Sequence, residues 1–167
     1  KEYAPNNFKQ QFNGRVTLRQ ALAKSLNVPT VSFAEMAGYE RVADIARRAG
    51  LSGVRGTPSA ALGSYEASPL DVAGAYTVFS NGGVAVETTM IREVRSAENS
   101  LIYKPKAASR AVLDPRISYM VLNLMQDVIN SGTAAGARSR GFLLPAAGKT
   151  GTSHDAWFAG FTSNLLC

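Results

Sequence analysis

The sequence predicts an α+β fold in which helices pack against an antiparallel sheet. Helical periodicity with capping signals recurs through the first half of the chain and again over residues 116–130. Near the C-terminus, Ala147–Ser153 and Ala156–Phe161 flank the pair His154-Asp155, a strand, a tight turn and a returning strand. A second hairpin is expected between Thr88–Arg95 and Leu101–Tyr103, joined around Glu98-Asn99. Helices first and an antiparallel hairpin last make the layered arrangement the natural one.

Residues 1–14 hold Pro5 and several asparagines and glutamines, and read as an irregular lead-in. Thr17 is a helix cap, with Leu18 and Leu22 four apart on one face of the helix that runs to Lys24. Pro29 disfavours helix just before it, so Ser25-Leu26-Asn27 is expected as a turn or loop. Pro29 then opens a helix over Thr30–Ala37. A third helix, Tyr39–Ala49, carries Val42, Ile45, Ala46 and Ala49 on its apolar stripe and stops at Gly50. A glycine-rich loop leads through Pro58 to Gly63. Ser68-Pro69 starts the next helix, with Asp71 in its first turn, and Asn81-Gly82-Gly83 ends it. Asp114-Pro115 starts the longest helix, Arg116–Asn130, and Ser131-Gly132-Thr133 terminates it. A small-residue segment, Ala134–Gly141, returns the chain to the final hairpin.

At 167 residues the chain can bury a sizeable core, and a single domain is expected. Hydrophobic content of 46% with 18% charged residues is globular composition. The net charge of +6 suits anionic surroundings. No nucleic-acid-binding motif accompanies it, so the charge reads as solvated surface and no nucleic-acid partner is expected. One cysteine, Cys167, and one histidine exclude an ordinary His/Cys zinc site and any internal disulfide, and no metal or cofactor is expected. No apolar run is long enough to span a bilayer. Both ends are expected to be cut, the first residues entering mid-loop and Asn164–Cys167 opening a strand that does not finish.

The chemistry concentrates in Ala147–Ser153, where one ammonium, three hydroxyls and two glycines fall within seven residues. On a strand, Lys149 and Gly151 share one face, while Gly148, Thr150 and Thr152 share the other. Gly151 lacks a Cβ, so a ligand can lie against the backbone there. A fixed cation with hydroxyls beside bare backbone suits a carboxylate-bearing substrate. A phosphate loop is excluded because Leu143 stands where its first glycine belongs. A polar edge strand that carries one lysine against edge pairing is the structural alternative. His154 beside Lys149 invites a Ser-His triad, but no acid and nucleophile follow in order, and a turn role is expected. Glu66 reads as a structural residue near a helix start, Arg47-Arg48 as solvated helix surface. Of Trp157 and Phe158, alternation sends one to the core and the other to a helix layer or groove.

Ser25-Leu26-Asn27 and Lys149-Thr150-Gly151 resemble two of the three signatures of penicillin-binding proteins and serine β-lactamases. The block Ala61–Tyr76, with its Ala-Leu-Gly, Glu66 and Ser-Pro-Leu, is similar to high-molecular-weight penicillin-binding proteins. So are Asn81-Gly82-Gly83 and Gly148–Thr152 continuing into Asp155–Gly160. The likeness covers almost the whole chain and points to class A, the bifunctional peptidoglycan synthases.

The resemblance implies a β-lactamase/transpeptidase-like fold and acyl transfer between peptidoglycan stem peptides through a serine acyl-enzyme. It implies that Ser25 relays protons between the nucleophile's lysine and Lys149, and that Asn27 holds the donor peptide's amide. Lys149 supplies positive potential, Thr150 and Thr152 bind the terminal carboxylate, and the Thr152 N–H forms half of the oxyanion hole. With Gly151 these are the expected catalytic and substrate-binding residues. β-Lactam antibiotics are implied as ligands, and a membrane-anchored parent with a glycosyltransferase domain, at the outer face of the bacterial plasma membrane, as context. The departure is the nucleophile: no serine or threonine here has lysine three residues later, Ser100 with Lys104 being one residue too far. Residues 1–167 are therefore expected to be a partial transpeptidase domain, inactive alone. The alternatives are part of a serine β-lactamase or D-alanyl-D-alanine carboxypeptidase, or a non-catalytic wall-peptide-binding module.

Overall fold

The computed structural model describes residues 3–7, 10–152 and 156–167. Helix α1 spans Leu18–Ala23, and Thr17 and Gln20 form a reciprocal capping box at its start. Helix α2 covers Asn27–Ala37, beginning three residues before the expected start. Pro29 is tolerated because the first turn of a helix leaves its N–H groups without intrahelical partners anyway. Helix α3, Tyr39–Ala49, has the expected bounds, ending at Gly50. Its packing differs: Ala43 is fully buried while Ile45 is 41% exposed. Arg47 and Arg48 are not simply solvated either. Arg47 pairs with Glu40 and donates to the Val54 carbonyl, and Arg48 donates to the Val112 carbonyl at 2.7 Å.

The glycine-rich loop holds a 3-10 turn at Pro58–Leu62, a short element that apolar periodicity does not reveal. Helix α4, Pro69–Ser80, starts from a second capping box, Ser68 with Asp71. Helix α5, Pro115–Asn130, is capped by Asp114, whose carboxylate accepts from the Arg116 N–H and side chain. A one-turn helix α6, Gly136–Ser139, lies in the small-residue segment.

Among the described residues the strands form three separate antiparallel pairs. β1 (Val84–Val86) pairs β4 (Ser109–Ala111), an association the sequence reading missed. β2 is only Val94–Arg95, paired irregularly with β3 (Leu101–Tyr103), so none of Thr88–Glu93 is strand. β5 (Ala147–Thr152) and β6 (Ala156–Phe161) pair in unbroken register, with Lys149 opposite Ala159 and Gly151 opposite Trp157. The turn expected at His154-Asp155 lies outside the described residues. Beyond β6, Leu166 bridges back to Phe161, and Gly160 and Cys167 exchange both backbone hydrogen bonds.

Among the described residues the core has two clusters. Val78, Ala85 and Val112 join α4 to β1 and the end of β4. Met125, Ala147 and Phe161, with Leu22, Tyr76 and Phe79 against them, join α5 to β5 and β6. The hydroxyl of Ser118, fully buried on α5, donates to the Val78 carbonyl at 2.9 Å, fixing α5 on α4 without an orphaned polar group. Neither Trp157 nor Phe158 enters the core, at 37% and 43% exposed. Their end of β6 is exposed, and the Phe158 ring lies across Gly148 and Gly160 instead.

Candidate active site

Local sequence chemistry places each side chain. After α1 the chain makes a Schellman turn: the Leu26 N–H bonds the Ala21 carbonyl at 2.9 Å and the Ser25 N–H the Leu22 carbonyl at 3.1 Å. The pivot of such a turn is usually glycine. Here it is Ser25, at φ +53°, and the turn throws its hydroxyl off the helix end. The core anchors β5 through Ala147, and alternation puts Lys149 on the same face two residues on. The two meet across 124 positions of sequence, Lys149 Nζ donating to Ser25 Oγ at 2.6 Å and to the Thr150 carbonyl at 2.8 Å. Lys149 is half-buried, and that desolvation pulls its pKa below the ordinary lysine value.

Asn27, the first residue of α2, follows Ser25 by two residues. Its carboxamide nitrogen donates to the Asn6 carbonyl at 2.8 Å, and no hydrogen bond joins it to Ser25 or Lys149 among the described residues. Its neighbour Asn7, buried, accepts from the Val28 N–H at 3.0 Å. Asn7 thereby supplies the cap that Leu26 cannot give α2. The described part of the lead-in is irregular as expected, yet it is fastened to the site. The asparagine pair was the only signal for that.

Thr150 points away from Lys149 by alternation, and its hydroxyl meets the Thr133 hydroxyl at 2.6 Å. Thr133 follows α5 and was read only as part of a helix stop. Its N–H donates to the Ala23 carbonyl at 3.1 Å, just before Ser25. Gly132 permits this approach, since a Cβ there would stand 2.3 Å from the Ala23 oxygen. Gly151 serves a purpose inside the protein as well: an added Cβ would lie 3.1 Å from the Trp157 Cβ across the hairpin. Thr152 closes β5, its backbone opposite Ala156. Glu66 is exposed and belongs to none of this.

The structure thus brings together Ser25, Lys149 and the Thr150 backbone, with Asn27 two residues from Ser25 and Gly151 and Thr152 further along the same strand. A helix end and a strand meet at a half-buried ammonium that donates to a serine hydroxyl. That arrangement can move protons and attract an anionic ligand.

A mixed helix-and-strand domain whose terminal hairpin carries a lysine onto a serine at a helix end is the class these features define, and the comparisons narrow it to one family. The family model for the penicillin binding protein transpeptidase domain matches residues 1–163, and the chain belongs to that family. It is similar to penicillin-binding protein 1A of Neisseria gonorrhoeae, 36% identical over 174 residues, covering 98% of this chain and 22% of the relative. Penicillin-binding protein 1B of Buchnera aphidicola subsp. Baizongia pistaciae is 36% identical over 165 residues, again covering 22% of the relative. The chain therefore spans about a fifth of the length of these curated relatives. Its fold is that of penicillin-binding protein 1A from Haemophilus influenzae, at a TM-score of 0.89 and 22% identity, covering 99% of this chain and 31% of that one. PonA1 from Mycobacterium tuberculosis, solved in complex with penicillin V, superposes at a TM-score of 0.79 with 23% identity, covering 96% of this chain and 48% of that one. The expected α+β, transpeptidase-like fold is the observed one.

Proposed function

We propose that this chain forms the recognition and proton-transfer side of a peptidoglycan D,D-transpeptidase, as a partial domain over residues 1–167. The carrying observation is the 2.6 Å hydrogen bond between Lys149 Nζ and Ser25 Oγ, which joins the two signatures in space. A serine from a Ser-x-x-Lys segment, absent from this sequence, attacks the carbonyl carbon of the donor's D-Ala–D-Ala bond. The leaving D-alanine amine takes a proton through Ser25, which relays it between the nucleophile's lysine and Lys149. An acceptor stem-peptide amine then attacks the ester and frees the serine. Asn27 holds the donor amide, Thr150 and Thr152 bind its carboxylate beside Gly151, and the Thr152 N–H is one oxyanion donor.

β-Lactams acylate the same serine by ring opening, with no leaving group. The longer protein works in the bacterial envelope, anchored at the outer face of the plasma membrane beside a glycosyltransferase domain. Similarity to penicillin-binding proteins 1A and 1B supports that setting. No helix among the described residues is long and apolar enough to cross a membrane.

Intact-mass measurement after incubation with excess benzylpenicillin tests the reading. A polypeptide that joins this chain to its Ser-x-x-Lys segment gains one penicillin mass, and the 167-residue chain alone gains none. A stoichiometric adduct on the chain alone, absent after heat denaturation, would place the nucleophile on another serine. No adduct on the joined polypeptide would favour a non-catalytic wall-peptide-binding module. Rapid loss of the adduct to water would favour a β-lactamase or carboxypeptidase.

A further inference from the structure

We infer that Thr133 is a positioning residue for ligand binding, acting through Thr150; the inference rests on the transpeptidase reading above. Its hydroxyl lies 2.6 Å from that of Thr150, the shortest link between β5 and the loop after α5. Each threonine hydroxyl has one proton, so within the pair one donates and the other keeps its proton free. The Thr133 N–H is committed to the Ala23 carbonyl, which fixes the residue on the α1 end that also presents Ser25. When the Thr133 hydroxyl donates to Thr150, the Thr150 proton is left to point outward, and the chain of two bonds strengthens it as a donor. A carboxylate at the strand then meets a pre-aimed, polarised hydroxyl instead of a free rotor.

The arrangement also explains how two faces of one strand serve one ligand. Alternation separates the Lys149 and Thr150 side chains, yet their partners, Ser25 and Thr133, sit on one junction. Gly132 is what lets that junction close, because its backbone passes against Ala23 where no Cβ fits.

The test uses the protein that joins this chain to its Ser-x-x-Lys segment, with benzylpenicillin, whose carboxylate is the group to be recognised. Acylation is followed against penicillin concentration in wild type, Thr133→Val, Thr133→Ser, Thr150→Val and the Thr133→Val/Thr150→Val double variant. Thr133→Val is expected to raise the half-saturating concentration about three- to tenfold, leaving the limiting rate within about twofold. Thr133→Ser restores it, and Thr133→Val adds nothing once Thr150 is valine. Equal losses in both Thr150 backgrounds, failure of serine to restore binding, or no loss would each overturn the role of Thr133. A wild type that is not acylated at all would overturn the transpeptidase reading itself, and this inference with it.

Discussion

Two hairpins of the same chain behave in opposite ways. β5 and β6 pair over six residues each without a slip, and Ala147, Ala159 and Phe161 are buried along them. β2 and β3 pair over two and three residues with an irregular register, and Leu101, Ile102 and Tyr103 are all more than half exposed. A one-residue slip in β5 would exchange Ala147 for Gly148 in the core and turn Lys149 away from Ser25. A slip in β3 exchanges one exposed side chain for another. Burial of one face is what specifies register, and the candidate site sits on the hairpin that has it.

The largest expected effect breaks that hairpin's chemistry and spares its fold. In the protein carrying its Ser-x-x-Lys segment, Lys149→Ala should slow acylation by a fluorescent penicillin roughly a hundred- to ten-thousandfold, the range for a positioned proton-transfer group. The Tm should move little, because the ammonium stabilises only a partly exposed contact. Wild-type rates in this variant would remove Lys149 from the mechanism. Next comes the junction behind the hairpin. Gly132→Ala forces a methyl against the Ala23 carbonyl and should cost about 1–3 kcal/mol, as overpacking does, read in urea unfolding. An unchanged midpoint would mean that the α1–α5 junction yields freely.

A smaller effect follows pH. The folded state depresses the Lys149 pKa below its ordinary 10.5, so between those two values the unfolded chain binds more protons. Stability therefore rises with pH across that window, the burial penalty being full at neutral pH and gone above 10.5. Against Lys149→Met, the wild type should gain in relative Tm from pH 7 to pH 10, and a flat difference would contradict the burial of the charge. The smallest effect belongs to the other hairpin. Ile102→Ser, at a site 65% exposed, should shift stability by under about 0.5 kcal/mol. A large loss would show that β3 packs on something.

The contrast also accounts for what the sequence made legible. The caps Thr17, Ser68 and Asp114 announce α1, α4 and α5 because capping is local chemistry, written within four residues. Ser25, Asn27 and Lys149 were visible as motif residues, and their separation hid only the distance that joins Ser25 to Lys149. β1 with β4 was not visible, since three-residue strands more than twenty positions apart leave no periodic signal. The same holds for Thr133 and Asn7. Each is a small polar residue whose partner lies on a different element, and nothing in its neighbours in sequence says so.

One detail of α1 bears on how such a site persists. Ser25 occupies a left-handed turn position where glycine rests without strain and another residue costs about 1–2 kcal/mol. Ser25→Gly should thus hold the turn as well or better while deleting the hydroxyl that Lys149 contacts. If Ser25 carries the proposed proton relay, selection for stability alone works against it, drawing this position toward glycine. In a library selected first for heat resistance and only then for activity, position 25 should be among the first to lose its function.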